Sequence, residues 1–368
     1  MGSAVSGSDQ PAPLAGVKVL EFTSIGPGPH CAMLLADLGA EVVRIDRPGG
    51  NGWPNPIVDR GRAALVLDLH SEAGRGVCCA AADQADVLIE GMRPGVMERL
   101  GLGPEVLCTR NARLVYGRMT GWGQDGPWAH KAGHDLNYIA LTGALAAMGE
   151  PGRAPSPPLN LVGDFGGGSL YLAVGILAAL FERERSGRGQ VVDAAIVDGV
   201  NSLMSFFAGL LPGKYLSMDR ARNPLAGGAP NYRCYECADG RYLSVGALEP
   251  RFYESLLRAV GARPGLLQEL GDAANWPRQC EELATLFRSR TQAAWCELLE
   301  GVDACTAPVL ELEQAPDHAH LRGRQGFVHH QGLRQAAPAP RLSRTPARIG
   351  PTRDGWDVLA GWGVSFPA

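Results

Sequence analysis

From Val17 onward the chain alternates strand-like and helix-like apolar runs, and this alternation limits the possible folds more than any other feature. VKVLEF predicts a buried strand, GPGPH a turn, CAMLLADLG a helix that ends at Gly39, and EVVRID a second strand. AALVLDL, DVLIEG, ARLVYGRMTGWG and QVVDAAIVD continue the series. Strands that alternate with helices predict an α/β fold built on a doubly wound, Rossmann-like parallel sheet.

The pattern changes at the Gly/Pro-rich connection NPLAGGAPNY. Beyond it, YRCYECADGRYLSVGA predicts a hairpin that turns at Asp239-Gly240, and a mostly helical segment follows. The tail is rich in Pro and Arg, which predicts an extended segment. We therefore predict a large domain over residues 1–224, a smaller α+β domain over 225–315, and a C-terminal segment, 316–368, that returns to the large domain.

Composition narrows the partners. The net charge is only -4, without a long basic block, which argues against nucleic acid and anionic membranes. Nine cysteines in irregular positions indicate reduced thiols and a cytoplasmic protein. The N-terminal residues lack the pattern of a secretory signal. The longest uncharged apolar run, Ser169–Phe181, is too short to cross a bilayer and predicts a buried helix.

Two motifs imitate binding sites. GPGPH lies between a strand and a helix, with Asp46 about twenty residues after Gly26, as in a dinucleotide-binding turn. Pro27 and Pro29 lack the backbone N–H groups that would bind pyrophosphate, so we interpret the motif as a tight turn only. CYEC lacks the second pair of a zinc site, and positions three apart on a strand face opposite sides.

Three stretches place ionisable side chains among glycines: AGHDLNY with His134, LVGDFGGGS with Asp164, and GALEPRF with Glu249. Asp164 is explained as a helix N-cap in most proteins. Gly166-Gly167-Gly168, however, is an unfavourable way to begin a helix unless a ligand must approach the backbone. His134 and Glu249 have equally ordinary explanations, as a histidine at a helix start and a surface carboxylate. The residues alone do not bring the three together.

Long motifs then indicate a family. SIGPGPHCAMLLADLGAEVVRIDRP, VLIEGMRPGVMERLGLGPE, RMTGWGQDGPWAHKAGHDLNYIALTG, PPLNLVGDFGGGSLYLAVGILAALFER and GGAPNYRCYECADGRYLSVGALEPRFY resemble the α-methylacyl-CoA racemases of the class III CoA-transferase (CaiB/BaiF-like) superfamily. The resemblance implies an isomerase that exchanges the α-proton of a 2-methyl-branched acyl-CoA. It also implies an interlocked homodimer, in which the site lies between the large domain of one subunit and the small domain of the other.

The resemblance assigns catalysis to His134 and Asp164, with Glu249 of the small domain holding the imidazole. Racemisation needs one group to remove a proton from one face of a carbon and another to return a proton to the opposite face. His134 and Asp164 would exchange these roles with the hand of the substrate. Backbone N–H groups of the glycines after Asp164 are the expected site for the enolate oxygen. No metal and no cofactor is implied, because CoA is part of the substrate.

The resemblance also implies a binding surface for CoA and the thioester. Two positions depart from the family: His70 stands where lysine is usual, and Ala226 where aspartate is usual. The implied contact residues are Arg47, Leu67, Asp68, Leu69, His70, Gly91, Met92, Arg93, Arg99, Gly133, Asp135, Leu136, Asn137 and Tyr138.

Three other functions remain open. A class III CoA-transferase would use Asp164 as a nucleophile and would not need the histidine base. A CoA-binding scaffold would not need the acid–base set, and a dehydrogenase would need nicotinamide. The identity of the acyl group depends on apolar surface that cannot be assembled from the sequence.

Overall fold

The computed structural model describes residues 11–50 and 54–364, which form two compact units. The first unit comprises the described residues of Met1–Thr142, Leu159–Leu203 and Phe327–Ala368. The second comprises Gly143–Pro158 and Met204–Gly326. The main part of the second unit thus begins at Met204, and a short earlier segment, Gly143–Pro158, also belongs to it. The predicted domain boundaries stay predictions.

A parallel sheet forms the centre of the first unit. Its strands are β1 (Lys18–Phe22), β2 (Glu41–Asp46), β3 (Arg62–Val66), β4 (Val87–Glu90), β5 (Val115–Thr120) and β6 (Val191–Ala195). The strand order is β3-β2-β1-β4-β5-β6, and every neighbouring pair is parallel. The order reverses between β1 and β4, so this is the predicted doubly wound, Rossmann-like topology.

Helices cover the sheet. They are α1 (Pro27–Asp37), α2 (Glu72–Gln84), α3 (Val96–Arg99), α4 (Pro104–Arg110), α5 (Asp135–Leu141), α6 (Leu170–Ser186) and α7 (Ile196–Leu203), with a π-helix over Leu161–Ser169 immediately before α6. Every residue of β4 and β5 is buried, as expected for central parallel strands that are covered on both faces.

The π-helix packs against α7 through glycines. A Cβ atom at Gly199 of α7 would lie 1.8 Å from the backbone oxygen of Gly167, and one at Gly167 would lie 2.6 Å from Val200 Cγ2. Two backbones approach this closely only where neither carries a side chain. The glycines after Asp164 therefore serve helix packing, where the sequence suggested close approach of a ligand.

Helix α6, where the sequence predicted a buried helix, is buried on one face and exposed on the other. Leu172 and Ile176 are completely buried, whereas Leu170, Val174 and Phe181 are 49%, 65% and 71% exposed. These three residues follow helical spacing and form one apolar stripe. Together with the π-helix, the helix spans Leu161–Ser186, and in the described chain it alone is long and apolar enough to cross a membrane; 44% of its most apolar part is buried within the protein.

The second unit is α+β. Its elements are α8 (Ser205–Leu210), β7 (Tyr232–Glu236), β8 (Tyr242–Gly246), α9 (Pro250–Val260), α10 (Leu266–Glu269), α11 (Trp276–Phe287), α12 (Gln292–Leu299), β9 (Thr306–Pro308) and α13 (Ala319–Gly323), with 3-10 turns at Leu145–Ala147, Pro224–Ala226, Ala273–Asn275 and Ala315–Asp317. The strands β7, β8 and β9 form an antiparallel sheet. The predicted hairpin is confirmed, and Gly240 turns it with φ of 73°.

Aromatic side chains form the centre of the second unit. Phe287 stacks on Tyr235 with ring centroids 4.8 Å apart and meets Trp295 edge-on at 5.2 Å. Cys237 is buried and Cys234 exposed, and both are free thiols, which agrees with opposite sides of a strand.

The C-terminal segment returns to the first unit from Phe327. It contains the hairpin of β10 (Phe327–His330) and β11 (Leu333–Ala336) and the helix α14 (Gly355–Gly361). Arg60 donates to the backbone oxygen of Ala336 at 2.8 Å, and Leu359 of α14 is completely buried in the core. The segment is therefore partly regular, and the prediction of an extended tail was too simple, because Pro and Arg in the joining stretches dominated its composition.

The packing of the π-helix against α7 can be tested by adding one methyl group. Gly199→Ala should lower the free energy of unfolding by about 1–3 kcal/mol, because the Cβ has no space beside Gly167. Gly76→Ala in α2 is the matched control: its Cβ meets nothing within 4 Å, and the change should raise the free energy of unfolding by about 0.5–1 kcal/mol. Denaturant titrations followed by circular dichroism compare the two. Equal stability of Gly199→Ala and wild type would contradict this packing.

Candidate active site

A cavity of about 320 Å³ lies where the strand order reverses, at the carboxyl ends of β1, β4 and β5. This is the usual position of ligand sites in open α/β sheets. Ser24 and Ile25 follow β1, Gly91 to Pro94 follow β4, and Gly121 and Trp122 follow β5. His134 and Asp164 complete its wall. The fold thus brings two of the predicted catalytic residues together.

His134 and Asp164 also border a second cavity of about 630 Å³. Its apolar wall comprises Ile25, Pro29, Pro54, Val58 and Phe165. The two ionisable groups are therefore placed between two spaces, each of which has room for part of a ligand.

His134 lies at the N-cap of α5, with extended backbone at φ of -133° and ψ of 173°. Its backbone N–H donates to the side-chain oxygen of Asn137 at 3.1 Å, the return bond of a capping box. That bond orients the residue through its main chain. The imidazole remains exposed and faces both cavities.

Asp164 lies in the first half of the π-helix. The side-chain amide of Asn160 donates to its Oδ2 at 3.2 Å. Burial raises the pKa of the Asp164 carboxyl, and the nearby charge of Asp135 raises it further, against the bond from Asn160. A carboxyl with a raised pKa can hold a proton closer to neutral pH, which suits a group that alternates between acid and base.

Gly26 explains the motif that imitates a dinucleotide turn. Its φ is 72°, and a Cβ at this position would lie 3.0 Å from Asp164 Oδ2. The first glycine of GPGPH thus leaves space for the carboxyl of Asp164. This explains the motif without a bound nucleotide.

The ordinary explanation of Asp164 as an N-cap does not hold, and the expectation about the glycines that follow it was wrong. The helix begins at Leu161, so Asp164 is not its N-cap. For the same reason the N–H groups of Gly166, Gly167 and Gly168 lie inside the helix, where they bond to backbone oxygens of the preceding turn. They are not available to an enolate oxygen. A π-helix has no distinctive sequence pattern, so its early start was not predictable.

Two tryptophans that were not predicted as site residues pack with Tyr138 beside the smaller cavity, which Trp122 and Tyr138 line. Trp122 meets Trp128 and Tyr138 edge-on, at centroid distances of 4.9 and 4.7 Å. The Tyr138 hydroxyl donates to the backbone oxygen of Gly133, and a Cβ at Gly121 would lie 2.0 Å from the Tyr138 ring. The GWG triplet was the available signal, since a tryptophan between glycines leaves room for neighbouring rings.

The predicted CoA contacts divide into two groups. Arg47, Leu69, Gly91 and Met92 line a cavity of about 240 Å³ that shares Ser24, Ile25, Gly91 and Met92 with the smaller active-site cavity. Arg93, Gly133 and Tyr138 line the active-site cavity itself. Within the described residues, the remaining predicted contacts line neither the cavity of about 240 Å³ nor the one of about 320 Å³. They are Leu67, Asp68, His70, Arg99, Asp135, Leu136 and Asn137.

A buried ion pair supports the loop after β4. Glu90 is completely buried, accepts the backbone N–H of Met92 at 2.7 Å, and pairs with Arg118 at 2.9 Å. This arrangement fixes the conformation of the Gly91–Arg93 loop. All three residues line the cavity of about 320 Å³, and Gly91 and Met92 also line the cavity of about 240 Å³.

Glu249 belongs to the second unit. It is the N-cap of α9, at the end of the short loop after β8, and its backbone oxygen accepts the N–H groups of Phe252 and Tyr253 at 3.0 and 3.2 Å. Its side chain is exposed. Its catalytic role therefore stays a prediction.

The comparisons with known proteins identify the family. A model of CoA-transferase family III matches residues 14–353, so the chain belongs to this family. The chain is 46% identical over 342 residues to the α-methylacyl-CoA racemase of Mus musculus, covering 93% of this chain and 89% of that relative. It is 44% identical over 335 residues to the α-methylacyl-CoA racemase of Homo sapiens, covering 91% and 87%. A crystal structure of a CaiB/BaiF family protein from Brucella suis has a TM-score of 0.80 at 25% identity, covering 96% of this chain and all 100% of that one. The family predicted from the motifs is confirmed.

The raised pKa of Asp164 predicts a pH-dependent gain in stability for Asp164→Asn. A carboxyl whose folded pKa exceeds its unfolded value of 3.8 stabilises the fold most at low pH, and this contribution is lost as the pH rises through the folded pKa. Asparagine has no proton to lose. The variant should therefore match wild type in acid and become the more stable protein towards neutral pH.

Unfolding free energies from denaturant titrations at a series of pH values test this prediction. Asp125→Asn, which removes an exposed carboxylate, is the control for the change in net charge. A constant difference between Asp164→Asn and wild type across the series would contradict the raised pKa.

Proposed function

We propose that the protein is an α-methylacyl-CoA racemase, which interconverts (2R)- and (2S)-2-methylacyl-CoA thioesters by proton transfer through an enolate. The observation that carries the proposal is the placement of His134 and Asp164 on the same two cavities. The chain's similarity to two α-methylacyl-CoA racemases supports it.

The proposed reaction uses the two groups in turn. For one hand of the substrate, one of them removes the α-proton and the electron pair passes to the thioester oxygen, which forms the enolate. The other group then donates its proton to the opposite face of the α-carbon, and the enolate electrons return to form the new C–H bond. Before each turnover, one of the two groups must therefore be deprotonated and the other protonated. The raised pKa of Asp164 helps it to carry that proton.

The cavities on the two sides of His134 and Asp164, of about 320 and 630 Å³, suit the two halves of the substrate. We assign the CoA to the side of Arg47, Arg93 and the loop after β4, because an arginine has a permanent, forked charge that matches phosphate. The larger cavity has mainly apolar walls, which suit a branched acyl chain. Arg99 at the end of α3 is the remaining arginine in the proposed nucleotide site.

A CoA-transferase that uses Asp164 as a nucleophile is the alternative. It would share the fold and the family. His134 beside Asp164 favours the racemase, because a carboxylate nucleophile needs no histidine base on the same cavity.

We further propose a cytoplasmic, interlocked homodimer in which the partner subunit completes the site. The exposed apolar stripe of Leu170, Val174 and Phe181 supports an interface on α6, since a surface of this kind is normally covered. Glu249 would then reach His134 from the small domain of the other subunit and orient its imidazole.

Isotope exchange tests the proposed reaction. A single epimer of a 2-methylacyl-CoA incubated with the enzyme in D2O should gain deuterium at the α-carbon and drift towards both epimers, without any acceptor acid. His134→Ala and Asp164→Ala should each lower the rate of inversion by about 10²–10⁴-fold, since each serves one face. Mass spectrometry and chiral chromatography measure both results.

Exposed residues of the same types provide the controls for this experiment. His130→Ala and Asp125→Ala should leave the rate unchanged, because both side chains are exposed and line neither cavity. Transfer of CoA to a free acid, with no α-deuterium in either epimer, would identify a transferase and refute the racemase.

Complementation tests the shared site. Neither a His134→Ala nor a Glu249→Ala homodimer should have an intact site. A heterodimer of the two variants should contain one site with both residues and regain about half of the wild-type activity, because a two-fold dimer has two equivalent sites. Differently tagged subunits, co-expressed and purified over both tags, provide the heterodimer. Verified heterodimers no more active than the homodimers would show that each site is built from one chain.

A further inference from the structure

Asp135 connects the two proposed catalytic residues. It follows His134 in the chain and is the first residue of α5, but its side chain reaches the π-helix that carries Asp164. Its Oδ2 atom accepts the backbone N–H of Asp164 at 2.7 Å. The residue is only 8% exposed.

The start of the π-helix needs such a partner. The first N–H groups of any helix have no acceptor within it. Here Phe165 is the first residue that bonds back along the chain, to the backbone oxygen of Asn160 at 3.2 Å. Asp135 satisfies the N–H group immediately before it, that of Asp164, from a different element of the fold.

Gly163 allows this contact. A Cβ at Gly163 would lie 2.3 Å from Asp135 Oδ2 and 2.8 Å from its Cγ. The carboxylate thus lies directly against the backbone of the π-helix. Because no side chain intervenes, a movement of Asp135 is transmitted to the backbone of Asp164.

We propose that Asp135 is a positioning residue that sets the separation and orientation of His134 and Asp164. Its backbone is bonded to His134, and its carboxylate holds the N–H of Asp164, so a single residue links the two groups. The proposal builds on the racemase function, in which both groups must address one carbon atom from opposite faces. In such reactions a misplacement of about 1 Å lowers the rate about 10²-fold.

Asp135 also affects Asp164 through its charge. Its second oxygen, Oδ1, is buried and has no hydrogen-bond partner within the described part of the chain. The charge is therefore poorly screened, and after burial and the bond from Asn160 it is the next influence on the pKa of Asp164, which it raises. The other titratable or charged groups around Asp164 are His134, Arg93, Lys131 and Tyr138 on the smaller cavity, Asp59 on the larger one, and His30 against Phe165.

These two effects can be separated by substitution. Asp135→Asn keeps an oxygen that can accept the N–H of Asp164 but removes the charge. The pKa of Asp164 should fall, so the acidic limb of kcat/KM against pH should move to lower pH. The acidic limb should move equally for both epimers. For either epimer the active enzyme has one of the two groups protonated, and the acidic limb reports the binding of a second proton to the pair. Asp135→Ala removes the acceptor as well, and should lower kcat by about 10²-fold with little change in KM.

Asp193→Asn is the matched control. Asp193 also accepts a backbone N–H, that of Gln124 at 3.3 Å, but it lines neither cavity beside His134 and Asp164. This variant should keep the wild-type kcat and the wild-type pH profile. A shift seen in both Asp135→Asn and Asp193→Asn would reflect net charge and would overturn the proposal.

The proposal is also overturned if Asp135→Asn leaves the acidic limb in place, or if folded Asp135→Ala keeps the wild-type kcat. Should the Asp135 variants fail to fold, Gly163→Ala decides, because its methyl group displaces the same carboxylate and should lower kcat as Asp135→Ala would. A wild-type enzyme without racemase activity would refute the proposed function instead, so the two failures are distinguishable.

Discussion

The site depends on how closely the π-helix Leu161–Ser169 approaches its neighbours. It lies against α7 where Gly167 meets Gly199, against the first turn of α1 where Gly26 faces Asp164, and against α5 where Gly163 faces Asp135. Each contact requires the absence of a side chain. A π-helix is uncommon and is frequently found at functional sites, because its wider turn redirects side chains from their places in a regular helix. Here it turns Asp164 towards the cavity of His134.

The energetics of the site follow from burial. A carboxylate is destabilised when it is removed from water, and Asp164 is placed where burial and the charge of Asp135 both oppose its ionisation. The same destabilisation makes it easier for Asp164 to accept a proton from a carbon atom. In the proposed mechanism, stability and catalysis are thus opposed at Asp164, as is common at sites that use strained or desolvated groups.

Apolar patterns predicted the sheet, the first helices and the hairpin at Gly240, because strand and helix periodicities are local properties. The start of the π-helix at Leu161 was missed because Asp164 followed by glycines has the local features of a cap. The apolar sequence of α6 predicted a buried helix, whereas one face of that helix is exposed. No local pattern shows which side of an apolar helix will find a partner.

The candidate site was predictable only in part. His134, Asp164 and Glu249 are each ordinary in their local context, and family resemblance alone grouped them. The fold supports the first two as a pair, since both line the same cavities. The contact between Asp135 and Asp164 joins residues 29 positions apart and leaves no trace in either segment. Long-range hydrogen bonds of this kind appear only once the chain has folded.

In the proposed mechanism two different groups act on opposite faces of one carbon, and the fate of the α-hydrogen distinguishes this from catalysis by a single group. A single epimer of a 2-methylacyl-CoA that carries deuterium at the α-carbon should be incubated in ordinary water, and the opposite epimer analysed at early times. The two-group mechanism predicts that this product carries hydrogen from the solvent, because the group that donates is not the group that removed the deuterium. A product epimer that retains the substrate's deuterium would show that one group serves both faces, and would refute the two-group mechanism.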